Sequence, residues 1–112
     1  MSKSASVLES LPPAAAAALR KLGADLATAR KRRQQPLSAW AARFDVSVPT
    51  LMKMEKGDAA ASIGVFITAL WIIGCHEALA AAAKPKEDLA ALENEINAAA
   101  QRHRRGPAKL KD

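Results

Sequence analysis

Ser47, Val48, Pro49, Thr50 and Lys53 fall inside one short stretch, DVSVPTLMKMEKG, which opens on a turn-like Asp-Val-Ser and closes on a glycine. Serine is a favoured helix cap, and a proline in the first helical turn forfeits no bond. The residues after them have helical spacing. Such a helix would present hydroxyls, apolar groups and one cation at its start, which is chemistry for recognising a surface and not for making bonds. Bond-making chemistry finds no support elsewhere. One cysteine, two histidines and scattered acids make neither a metal-ligand set nor a Ser-His-Asp or Cys-His arrangement. There are no paired carboxylates and no phosphate-cradling glycine loop. We expect no enzyme, no metal and no cofactor. Cys75 reads as an inert, buried or half-buried thiol, because its neighbour His76 would point elsewhere on a helix.

The positions of these residues depend on a small scaffold. The chain has 112 residues, enough for one domain with an appendage. Half are apolar but only 4% are aromatic, so a core rich in alanine requires close helix contacts, and a domain this small often draws stability from a second copy. The net charge of +6 favours nucleic acid, an anionic membrane surface or an acidic protein. It is unevenly spread. Residues 1–34 hold seven bases against two acids, ending in Arg30, Lys31, Arg32 and Arg33, and Arg102 to Lys111 holds five bases and no acid. A single cysteine fits a reducing compartment. Residues 1–11 lack a basic segment followed by an apolar core, and no apolar run approaches a membrane span. The expected location is cytoplasmic, without a membrane partner.

The pattern is helical throughout, with no strand-like alternation. Pro12 and Pro13 fit the start of a first helix whose stripe is Leu19, Leu22, Leu26 and Ala29, with Gly23 a possible interruption. Pro36 starts a second helix carrying Trp40, Ala41 and Phe44. A third runs from Pro49 to Glu55, with Leu51 and Met54 facing in, and Gly57 ends it. Ser62 caps a fourth, SIGVFITALWIIG, which Gly74 closes. Ile63, Phe66, Ile67 and Leu70 fit one buried face of this helix, leaving Val65, Trp71 and Ile72 in need of a second cover. HEALAAAA gives a fifth. Lys84-Pro85 marks a boundary before a separate helix striped by Leu89, Leu92, Ile96 and Ala99. This divides the chain into a flexible segment 1–13, a domain 14–83, a C-terminal helix 84–105 and a basic flexible tail 106–112.

Helices two and three meet the requirements of a helix-turn-helix. Ala41 is the small residue that allows a close crossing. Val46 is the apolar plug of the turn. Trp40, Phe44, Leu51 and Met54 join the two helices. Asp45 takes the turn position that usually holds glycine, and Asp tolerates positive φ. In this geometry the second helix enters the DNA major groove by its N-terminal residues. Ser47 would cap it, with the positive helix end facing a phosphate. Lys53 would reach a guanine or a phosphate, while Val48, Pro49 and the Thr50 methyl would meet thymine methyls. Arg43 and Lys56 complete the set of candidate DNA contacts on these two helices. An ordinary corner between two helices of a bundle is the plain alternative.

LGADLATARKRRQQPLSAWAARFDVSVPTLMKMEKGD resembles the Xre/Cro type of helix-turn-helix domain. With the following SIG and ALWIIG, the run is similar to the HipB-like regulators, which are usually encoded beside a HipA-like kinase toxin. The resemblance covers about residues 20–83. It implies an all-α, five-helix, lambda-repressor-like fold, to which the C-terminal helix is an addition. It also implies a dimer on double-stranded DNA, acting as a repressor, and a second role as antitoxin or co-repressor bound to the kinase. Leu37 stands where many members place a glutamine on the DNA backbone, and Ser38 is the nearest substitute. An arginine of helix one pairs in such domains with a glutamate near the end of helix three, which maps to Arg30 and Glu55.

Trp71 and Ile72 are expected in the core or, if exposed, at a dimer or partner interface. Leu89, Leu92 and Ile96 would dock on their own domain or on a partner, over roughly two heptads, short of the three or four that define a coiled coil. A competing function is a protein-interaction adaptor in which the C-terminal helix and tail do the binding.

Overall fold

The computed structural model describes residues 11–109, with side chains described as far as Arg104. Among them all regular structure is helical: α1 Pro13–Arg32, α2 Leu37–Phe44, α3 Val48–Glu55, α4 Ile63–Ile72, α5 His76–Ala80, a 3₁₀ turn Pro85–Glu87, and α6 Leu89–Lys109. The chain divides into two compact units between Glu77 and Ala78.

In the first unit α3 is the hub, packed against α1, α2 and α4. Leu26, Trp40, Leu51 and Met54 are fully buried, joined by Ala41, Val65, Phe66, Ala69 and Leu70. Each large side chain removed from water contributes about 1.5–3 kcal/mol. The Trp40 and Phe44 rings stack with centroids 5.3 Å apart. The turn between α2 and α3 closes on Asp45, at φ 57° and ψ 45°, with the Val46 amide donating to the Ala41 carbonyl at 3.0 Å. Val46 is half-buried beneath it. Ser62 caps α4 through the Val65 amide at 3.2 Å, and Gly74, at φ 77°, ends that segment.

Two expectations about these helices are overturned. Gly23 does not interrupt α1, which runs unbroken through it. And α4 buries Phe66 and Leu70 as expected, but its other buried residues are Val65 and Ala69, while Ile63 is 72% exposed and Ile67 half-buried. The helix is apolar on every side, so periodicity could not choose its inner face.

The second unit comprises the chain from Ala78, the 3₁₀ turn and α6. Asp88 caps α6, its Oδ1 accepting from the Ala91 amide at 3.1 Å. The helix begins later than expected and extends through Gly106 and Pro107 to Lys109. The segment expected to be a free tail is therefore helical that far. Residues 1–10 and 110–112, including most of the expected N-terminal segment, lie outside the described residues.

Candidate functional site

The candidate site is built on α3, which is fixed from behind. A Cβ on Gly23 would lie 2.6 Å from the Met54 carbonyl oxygen and 2.7 Å from that of Glu55. Gly57, at φ 70°, is equally constrained: a Cβ there would lie 2.5 Å from Arg20 Cα. Both glycines allow the C-terminal end of α3 to touch the backbone of α1, where any side chain would force the helices apart.

An ion pair fixes the same end. Arg30 Nε donates to Glu55 Oε2 at 2.7 Å, and a second guanidinium nitrogen donates to Glu55 Oε1 at 3.0 Å. The third nitrogen donates to the Gln35 carbonyl at 3.0 Å. Both side chains are nearly buried. The hydrogen bond to Glu55 raises the Arg30 pKa above its ordinary value, aided by charge attraction and opposed by burial. The basic run Arg30–Arg33 is thus divided. Arg30 is structural, whereas Lys31, Arg32 and Arg33 are exposed, with Arg33 donating to the Ala29 carbonyl of its own helix.

At its other end α3 is capped as its sequence suggests. Ser47 Oγ accepts from the Thr50 amide at 3.2 Å and lies 2.9 Å from the Thr50 hydroxyl. The Leu51 amide donates to the Ser47 carbonyl, and Pro49 has no N–H, so the turn keeps the Val48 amide for an outside acceptor. The start of α2 is more open. Its cap, Pro36, offers no side-chain acceptor. The Ala39 and Trp40 amides both donate to the Pro36 carbonyl, which leaves those of Leu37 and Ser38 pointing outward from a positive helix end. Lys31, Arg32 and Arg33 immediately precede this turn in sequence.

With Leu51 and Met54 turned inward, α3 presents Pro49, Lys53 and Lys56 to solvent, flanked by half-buried Val48 and Thr50. Ser38, Arg43 and Ser47 are exposed as well. One member of this face was missed: Met52, 41% exposed, lies beside Lys56 and Pro49 on the helical wheel, on the side away from Lys53. The inward spacing of Leu51 and Met54 already turned Met52 outward. The face holds two cations and a flexible apolar patch, with few hydrogen-bonding groups. It can meet phosphates and apolar groups in a groove.

The expected interface residues fall in two places. On α4, Trp71 is 63% exposed and Ile72 half-buried. Trp71 lines a shallow hollow with Ile67, Thr68 and His76, and Ile63 and Ile67 continue its stripe along the helix. On α6, Leu89 and Ile96 are exposed and Leu92 is half-buried. Cys75 is exposed, contrary to the expected burial or half-burial, because the turn at Ile73–Gly74 carries it out of the core. Among the described residues no group of His, Cys, Asp and Glu could hold a metal, and no helix is long and apolar enough to cross a membrane. Comparison with protein-family models, curated proteins and solved structures found no match.

Proposed function

We propose that this chain is a sequence-specific DNA-binding regulator of the Xre/Cro type, with α2 and α3 as its helix-turn-helix. The observation that carries the proposal is the two-sided construction of α3. Its inner face is held to α1 by Gly23, Gly57 and the Arg30–Glu55 pair, while Pro49, Met52, Lys53 and Lys56 stand free. A helix fixed this firmly at its back suits docking into a groove. The open α2 start and the Lys31–Arg33 run supply phosphate contacts that set register, and Lys53 contributes the one long donor to base edges. Two copies would place α3 in successive major grooves of a roughly palindromic site, and occupancy would block transcription, including that of the chain's own operon. Lys53→Glu tests this. A DNA reader loses operator binding and keeps its circular dichroism spectrum, whereas an interaction adaptor is indifferent.

The exposed Ile63 and Trp71 on α4, with half-buried Ile67 between them, favour a second role, as antitoxin or co-repressor bound to a HipA-like kinase, since an apolar patch on a small domain usually has a partner. This requires a kinase encoded nearby whose product binds the wild-type chain and not Trp71→Glu.

A further inference from the structure

We propose that α6 pairs antiparallel with α6 of a second copy. Leu89 and Ile96 are 75% and 68% exposed in the single chain. With Leu92, Ala99 and His103 they form one stripe along the helix at spacings of three and four. What selects the occupant is the charge beside the stripe. At 100° per residue, Glu95 and Arg102 border one edge, and Glu93 and Arg104 border the other. Each edge has its acid toward the N-terminus and its base toward the C-terminus. A parallel copy would set acid beside acid and base beside base. An antiparallel copy reverses the order.

One register then satisfies both edges. Glu95 with Arg102, and Glu93 with Arg104, are each centred on the Ala98–Ala99 step. A two-fold axis there brings Glu95 opposite Arg102 of the second copy and Glu93 opposite its Arg104, and each pair recurs by symmetry. In that register Leu92 and His103 of the second copy are neighbours along the seam, offset by about 3 Å. Ala99 lies near the axis, where a small side chain lets the helices approach. The helix dipole also favours acids early and bases late within a single helix. It does not explain why each edge of the apolar stripe carries both signs about one common centre. The pairing stands whether or not α3 reads DNA.

The test uses full-length chain carrying Cys75→Ser, so that the exposed native thiol cannot cross-link. Leu92→Cys and His103→Cys are introduced in separate copies and oxidised mildly, alone and mixed. Antiparallel pairing yields the mixed disulfide as the main product. Disulfides forming mainly within each pure sample mean parallel pairing and overturn the proposal, as does absence of cross-links in all three. In sedimentation of uncross-linked protein, Glu93→Arg with Glu95→Arg should weaken self-association at least roughly tenfold through four like-charge contacts. Adding Arg102→Glu with Arg104→Glu should restore it. Failure of the rescue also overturns the proposal.

Discussion

The two units use their apolar residues in opposite ways. In the first, Leu26, Trp40, Leu51 and Met54 are sealed inside, and the surface of α3 is polar and cationic around a small apolar patch. In the second, no described residue is buried, and Leu89 and Ile96 stand in solvent on a long helix. The first unit is therefore a rigid frame that presents a surface, and its sensitivity to substitution follows from packing. The second has apolar surface that becomes stabilising only on association, so its sensitivity depends on concentration.

The sharpest way to break this contrast is at Gly23. Gly23→Val places a side chain against backbone atoms of α3. Chemical denaturation is expected to show a loss on the order of 3 kcal/mol or more, with DNA binding lost as well. Arg30→Ala should come next, at about 2–4 kcal/mol, because it strands the nearly buried Glu55 carboxylate. Arg30→Ala with Glu55→Leu should be milder than the single change. The pH dependence has a definite sign. A raised arginine pKa gives stability that is complete below the ordinary guanidinium pKa and lost only as pH climbs through the raised one. The Arg30 contribution should therefore be flat across the neutral range, which urea titrations at several pH values would check.

Two smaller effects sharpen the comparison. Asp45→Gly removes the strain of a non-glycine residue at φ 57° and should raise the melting temperature slightly, by about 0.5 kcal/mol equivalent. Ile96→Asp should leave unfolding of the first unit within about 0.5 kcal/mol of wild type, yet reduce self-association measured by sedimentation. A large loss of stability from Ile96→Asp at high dilution would mean that α6 supports the frame, and the contrast would fail.

Much of the frame could be read in the sequence wherever residue types differ sharply along a helix. Trp40, Ala41, Asp45, Ser47, Leu51 and Met54 each suit one local environment poorly replaced by others, so the turn and the inner faces of α2 and α3 were legible. The α4 register was not, because Ile63 and Val65 are equally apolar and only the neighbouring helices decide between them. Gly23 was opaque for a different reason. Its role is set by backbone atoms of α3, distant in sequence, and no local pattern reports such an approach. The Arg30–Glu55 pairing came from resemblance and not from spacing, since ion pairs between helices leave no periodic trace. The open start of α2 was half visible: Pro36 marked the helix, but the missing cap gained meaning only beside the capped and nearly closed start of α3.

The most direct test of the central claim is fluorescence anisotropy of the purified chain with its own upstream DNA and with a scrambled duplex of equal length, at two salt concentrations. The expected result is tighter binding to the native site by a ratio that persists at the higher salt and disappears in Lys53→Glu, which would establish α3 as a reader of sequence. Equal affinity for both duplexes, collapsing with salt, would contradict it and leave only charge attraction between this basic chain and DNA.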